Sequence, residues 1–557
     1  RICLYFIIHL DVDRDSYLNV IYNRLAKMFK NKPNIFKNTK KPIKFSKYTW
    51  ILLGIISLAS IIRFYYFPFE VPLTADALYY FWYSSNIIQI EELPNNWSPK
   101  NNGWSIFVGV FFSIFNIDDI EILMSIQRGL SVLISIITSV SVYFLCKKFV
   151  SRKFAIIGAT LIIFDPRLIT NSFLGITDPI YLLLITSSLV LFLSHNRKLV
   201  YFSFVLVSLS TIVRAEGLLI FLTLSILFFI KYRNEKYKIF IKYILVLGIF
   251  MTIILPSSFY QIEVNGTDSV FSRIINSGTS LGESVFDKEV ENSKFNLISS
   301  FEILIKYLIW IMIPNFILFI PLGIFLIFQK RNFESVFMII FGIGVIIPAY
   351  YAYSISALDT RYLYNLFPIF AILSVISIKK ITNKFDKKNI ILIIIILSII
   401  LSSLLFYEFK KIDYDHEKES FEIMKEVSLK IKGVNNLPTE SRYLSTIQTI
   451  NQWPTPYSEM KFNIKIISYE NEENLEDWIL EYRDKGLTHI MTDGNDKRSN
   501  VLKELFFEEM KYPYLEKIYD SRNHGFNYQL KVFEINYELF EYLNDSRHGQ
   551  PNEEFIK

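Results

Sequence analysis

The sequence predicts a polytopic α-helical membrane protein that ends in a small α/β domain. Three observations carry that prediction. Apolar residues make up 52% of the 557 and gather into long runs of Ile, Leu and Phe. The basic residues fall mostly in short loops between those runs. After Tyr407 the texture changes to amphipathic stretches alternating with strand-like ones.

Taken in order, apolar segments of spanning or near-spanning length occupy 50–67, 122–146, 154–164, 177–194, 199–213, 216–230, 239–257, 303–328, 336–353, 361–378 and 390–407. They read as about eleven helices. Segment 104–115 is shorter and is placed as an interfacial or re-entrant helix, because a full span there would break the charge pattern of every later loop. The tail before Trp50 and the loops 147–153, 195–198, 231–238, 330–331 and 379–388 are basic and fall on one side, which is therefore cytoplasmic. Loops 67–102 and 259–301 and everything after Tyr407 then lie outside. The division is a cytoplasmic basic tail (1–48), a transmembrane domain (49–407) and a soluble extracytoplasmic domain (408–557).

In that last part, strands are expected over 443–447, 464–469, 488–492, 515–519 and 528–535, with amphipathic helices over 421–432 and 475–485. No Gly-rich phosphate loop follows any of these strands, so nucleotide binding is not expected there. The run Ile2 to Leu10 is too short to span and precedes no small-residue cleavage site; it reads as an interfacial helix or an extended start. Sequons begin at Asn96, Asn265 and Asn544, near the chance number.

Composition also narrows function. A net charge of +6 is too modest to indicate nucleic acid. The two cysteines, Cys3 and Cys146, imply neither a disulfide framework nor a thiolate metal site. Histidines are sparse, no spacing fits a metal centre, and no cofactor is expected.

The informative residues are charges at the outer ends of apolar segments: Arg63, Arg128, Arg167, Arg214 and Arg361. A cation at such depth costs about 2.5–3.5 kcal/mol on the lenient insertion scale and so normally has an anionic partner. Asp76, Asp165, Asp178, Glu216 and Asp359 stand near them in sequence. Each has a structural reading: Asp76 and Asp178 as helix caps, Asp165 with Arg167, Arg214 with Glu216 and Asp359 with Arg361 as ion pairs. Their shared membrane level favours a site for a phosphorylated lipid, since arginine forks donate two parallel bonds to phosphate. Asp76, beside Tyr79, Tyr80, Trp82 and Tyr83, is placed to take a proton from an acceptor hydroxyl. Tyr65, Tyr66, Tyr79, Trp82, Trp97 and Trp104 are the aromatics placed to stack on a sugar or grip an isoprenoid.

Asp76 in the first outer loop, Asn102-Gly103-Trp104, Gln127-Arg128-Gly129-Leu130-Ser131, Leu174-Gly175-Ile176-Thr177-Asp178-Pro179-Ile180, Arg214-Ala215-Glu216-Gly217 and Arg361-Tyr362-Leu363 together form a pattern. It resembles the GT-C membrane glycosyltransferases of the dolichyl-phosphate-mannose protein mannosyltransferase type, family 39, and their aminoarabinose transferase relatives, over roughly 46–378. The resemblance implies metal-free, inverting transfer of a sugar from a polyprenyl-phosphate donor to a protein, lipid or glycan acceptor on the outer face. It makes Asp76 the general base, with Asp178 a second carboxylate, and puts Arg128, Arg214 and Arg361 near the carrier phosphate. Arg63, Arg167, Glu216, Tyr362, Tyr79 and Trp82 complete the expected substrate site. The chain departs from the family in having Asp76-Ala77 where an Asp-Glu pair is usual. An oligosaccharyltransferase would be expected to carry a Trp-Trp-Asp-Tyr-Gly type motif, which is absent. A transporter or flippase of lipid-linked sugars would place charges near mid-span.

Overall fold

A computed structural model describes residues 46–90, 101–268, 271–272, 297–433, 442–446, 464–468, 474–493 and 499–547, apart from positions 75, 116, 118, 267, 330, 331 and 485. The run Ile2 to Leu10, Cys3, Trp97 and the sequon at Asn96 lie outside the described residues. Contacts divide the chain after Trp50, and Ile51–Lys557 form the second unit.

The apolar part is helical throughout: α1 (Lys47–Tyr65), α2 (Asp76–Ile90), α3 (Gly103–Phe115), α4 (Ile120–Cys146), α5 (Arg152–Ile163), α6 (Pro166–Phe173), α7 (Asp178–Phe192), α8 (Arg197–Val213), α9 (Gly217–Lys231) and α10 (Lys238–Asn265). Then come α11 (Leu297–Met312), α12 (Ile320–Phe328), α13 (Phe333–Ser354), a 3₁₀ turn (Thr360–Leu366), α14 (Phe367–Thr382) and α15 (Lys388–Phe409). Among the described residues, six helical stretches are long and apolar enough to cross a bilayer, or seven if α5 and α6 count as one broken span. The chain is a multi-pass membrane protein.

Each of the eleven expected segments is helical, and those outside this count are short or broken. Segment 154–164 continues past a 51° bend into α6, because Pro166 has no amide hydrogen and Asp165 caps a fresh helix start with bonds from the Arg167 and Leu168 amides. Segment 303–328 divides into α11 and α12 around Pro314. Three further apolar helices, α3, α7 and α9, have only 13, 15 and 15 residues.

Chain direction sorts the helix ends into two sets. Lys147, Arg152, Arg197, Lys231 and Lys379 mark one, where Lys231 donates to the carbonyl of Ser194 at 2.9 Å and Arg197 pairs with Glu235 at 2.9 Å. The C-terminal ends of α1, α8, α13 and α15 and the N-terminal ends of α2, α7 and α9 make up the other. Small residues let the helices approach: a side chain on Gly323 of α12 would lie 2.5 Å from the Leu373 carbonyl of α14.

Beyond α15, α16 (Asp415–Gly433) leads into a five-stranded sheet of β1 (Arg442–Thr446), β2 (Ile464–Ser468), β3 (Leu487–Asp493), β4 (Leu515–Asp520) and β5 (Leu530–Ile535). The order is β2-β1-β3-β5-β4, with β1 parallel to β2 and β3 and β5 antiparallel to β3 and β4. Each of the five expected strands is present to within two residues. Alternation along β3 and β5 divides the core. Met491 and Val532 face Phe421, Met424 and Val427 of α16, while Ile490 and Phe533 face α17 (Leu475–Arg483) and α18 (Asn500–Phe507), with Phe540 of α19 (Tyr537–Arg547). Lys418 to Glu70 at 3.4 Å and Lys425 to Glu121 at 3.1 Å connect α16 to the helical bundle. Burial pulls the Lys425 ammonium down, but Glu422 and Glu121 more than offset it, and its pKa rises.

Candidate functional site

The site lies where the second set of helix ends meets. Asp76 opens α2, Asp178 opens α7, Arg214 closes α8 with Glu216 two residues on, and Asp359 caps the 3₁₀ turn that carries Arg361. Carboxylates at helix starts are favoured by the macrodipole, so the local fold itself delivers acids to this end.

Arg361 is the hub. Its Nε donates to Asp359 at 2.5 Å, and its two terminal nitrogens lie 3.4 Å from Asp76 and 3.8 Å from Asp178. Asp178, with only 8% of its side chain exposed, is also paired with Arg214 and receives Asn171 Nδ2 at 3.3 Å. Arg214 reaches Glu216 at 3.1 Å, and its guanidinium lies 5.6 Å from the Tyr181 ring and 5.9 Å from that of Tyr362. Both expected short-range pairs, Arg214 with Glu216 and Asp359 with Arg361, are therefore formed within one larger network. That network has four carboxylates and two guanidinium groups, so it carries an excess of negative charge.

A cavity of about 500 Å³ opens beside it. Asp76, Asp359 and Arg361 belong to its lining, as do Arg167, Asn171, Trp310, Tyr407 and Lys410. Arg167 donates to the carbonyls of Ile313 and Trp310 and lies 5.0 Å from the Trp310 ring and 4.9 Å from that of Phe406. It does not pair with Asp165, which accepts from the Arg167 backbone amide instead. The Lys410 ammonium sits 5.7 Å from the Trp310 ring. The cavity lining thus combines acids, cations and aromatic rings.

Two expected arginines are elsewhere. Arg63 is fully buried, and none of its guanidinium nitrogens has a hydrogen-bond partner among the described residues. Arg128 directs its guanidinium at four backbone carbonyls: Phe173 and Val71 at 2.7 Å, Pro68 at 2.8 Å and Pro72 at 2.9 Å. It clamps the approach to Asp76 onto the end of α6, a use that takes up four of its five N–H donors. Replacing Arg128 with Leu would leave those carbonyls unpaired at about 1–3 kcal/mol for each buried group that water does not reach. A loss of about 3 kcal/mol or more in thermal or denaturant unfolding is expected, and an unchanged midpoint would contradict the clamp. Tyr79 is exposed and Trp82 half-buried, on α2 beyond Asp76.

Asn171, Trp310 and Lys410 were not among the expected residues. Arg167, Thr170 and Asn171 lie three and four apart, the spacing that puts side chains on one helix face, so the polar face of α6 was readable. Lys410 and Lys411 were visible as basic residues on the side the other loops leave free of lysine clusters. Trp310 gave no signal.

Among the described residues, no group of three or more His, Cys, Asp or Glu side chains is arranged to hold a metal ion. No family profile matches the sequence, and no curated protein matches it. Solved structures do. ArnT from Cupriavidus metallidurans bound to undecaprenyl phosphate is 9% identical with a TM-score of 0.57, over 88% of this chain and 98% of that one. The oligosaccharyltransferase AglB from Archaeoglobus fulgidus, in complex with an inhibitory peptide and a dolichol-phosphate, is 10% identical with a TM-score of 0.54, over 85% of this chain and 73% of that one. Its apo form gives 13% identity and a TM-score of 0.52, over 84% and 71%. At these identities the likeness shows a shared fold.

Proposed function

We propose that this GT-C-fold chain transfers a sugar from a polyprenyl monophosphate to an acceptor hydroxyl, with inversion, on the non-cytoplasmic side of the membrane. The observation that carries the reading is that the Asp76–Arg361 pair, Arg167 and Lys410 line one cavity. Monophosphate lipids occupy two of the similar structures, undecaprenyl phosphate in ArnT and dolichol-phosphate in AglB, which supports the donor class.

The acceptor O–H gives its proton to the Asp76 carboxylate as its oxygen attacks the anomeric carbon. The bond from that carbon to the phosphate oxygen breaks on the opposite face, and the lipid phosphate leaves with one more negative charge. Phosphate is a good leaving group, so the protein's tasks are orientation and charge stabilisation. An anion next to the acid-rich network would be repelled, so the phosphate sits toward Arg167 and Lys410, with Arg361 between it and the acids. Asp178, fixed by Arg214, Asn171 and Arg361, sets the position of Arg361. Trp310, Phe406 and Tyr407 form the apolar side for the first isoprene units, and the α/β domain after residue 407 selects the acceptor. The basic helix ends face the cytoplasm. Charges gathered at helix ends rather than mid-span count against a translocation path.

The test is incubation of the protein in lipid nanodiscs with a panel of labelled dolichyl- and undecaprenyl-phosphate sugars, hexoses first. Label is expected to move from at least one donor to a hydroxyl-linked product of inverted linkage. Folded protein that transfers from none of them would refute the reading, and donor movement across the bilayer without transfer would favour transport.

A further inference from the structure

Gln127 is the eighth residue of α4, fully buried, next to the Arg128 clamp. Its Nε2 donates to two carbonyls that belong to separate segments: Ala77 at 2.9 Å and Gly175 at 2.8 Å. Ala77 follows Asp76 directly, and Gly175 precedes Asp178 by three residues. Gly175 has φ +74°, and a side chain there would meet Leu73 at 3.1 Å and the Gln127 stem at 3.5 Å, so this turn is built for glycine. Its carbonyl also receives Trp104 Nε1 at 3.0 Å.

The Gly175 carbonyl also holds Trp104 and that of Ala77 lies in the first turn of α2, so the Gln127 amide is a second, shared donor to both. One primary amide with two N–H groups reaches both and sets the distance between them. The two carboxylates are therefore joined twice, at their charged ends by Arg361 and at their backbones by Gln127.

We propose that Gln127 is a positioning residue that locks the Asp76 and Asp178 segments to each other, fixing the base relative to the arginine hub. Its kinetic consequence rests on the glycosyl-transfer reading; the coupling itself does not.

Gln127→Met keeps length and bulk and removes both donors. In the full-length protein in nanodiscs, amide hydrogen exchange is expected to accelerate about tenfold in peptides covering 73–78 and 174–180 together, the loss of one net hydrogen bond in each. Peptides over 530–535 serve as the unaffected reference. Trp104→Phe removes a donor from Gly175 alone and is expected to loosen only 174–180. Unchanged exchange in Gln127→Met, or loosening of a single segment, overturns the coupling whether or not the protein transfers sugar. Acceleration in the reference peptides as well would mark general destabilisation and also overturns it.

Where transfer is observed, kcat of Gln127→Met is expected to fall about 30- to 100-fold, the scale of a small misplacement of reacting groups, with donor KM within about threefold. In an Asp76→Asn background the same substitution should lower the residual rate no further, because it acts through Asp76. A multiplicative loss in that background, or an effect confined to KM, refutes positioning. Absence of transfer by the wild-type protein would remove the function reading and leave the exchange result to decide this one.

Discussion

Asp76→Asn is expected to lower the transfer rate by about 10²- to 10⁴-fold, the range for loss of a positioned general base, and to leave the protein folded. The side chain is 57% exposed and its ion pair is the 3.4 Å contact with Arg361, a separation and exposure at which a pair contributes about 0–1 kcal/mol. Its charge also favours the start of α2 by about 0.3–1 kcal/mol. The amide therefore costs little stability while it removes the basicity. The contrast is Asp178, which is buried and paired with two arginines: Asp178→Asn would weaken both the fold and the rate. Initial rates with a saturating labelled donor, together with thermal unfolding of each variant, separate the two acids. If Asp76→Asn works within about threefold of wild type, a group other than Asp76 takes the proton.

Much of this site was readable before any coordinates. Charges at helix ends are expensive in a bilayer, and that cost alone brought Asp76, Asp178, Glu216, Arg214 and Arg361 forward as one group. What could not be read was the partner of each arginine. Arg63 and Arg128 have the same local sequence signature as Arg361, an arginine in the outer turn of an apolar segment, yet one is buried near Asp165 and the other binds carbonyls at 68, 71, 72 and 173. Carbonyls carry no sequence signal, because every residue has one. The same blindness hid Gln127, whose two partners are also backbone oxygens. In the α/β part the alternation of strands survived as pattern, and the mixed sheet order did not, since it depends on long-range pairing. Pro166 and Pro314 mark the helix breaks, and reading segments by apolar length alone passed over them.

Arg361→Lys is expected to reduce kcat/KM for transfer by about 10²-fold or more, although it keeps the charge. The guanidinium meets Asp359, Asp76 and Asp178 with three different nitrogens; an ammonium is a single point and cannot reach all three from a shorter, differently shaped stem. Arg361→Met goes further and leaves the acids facing one another without their common cation. Removing one partner of a buried pair costs about 3–5 kcal/mol, and since 30% of the Arg361 side chain is exposed, solvent screening reduces this to about 2–3 kcal/mol. Adding Asp178→Asn to Arg361→Met removes one of the repelling charges, so stability should recover in part while transfer does not. That separation distinguishes a hub needed for chemistry from one needed only for folding. Rates and unfolding midpoints of the three variants, measured side by side, decide it: an Arg361→Lys protein with kcat/KM within about threefold of wild type would show that a point charge suffices and that the three-way guanidinium contact is not needed for transfer.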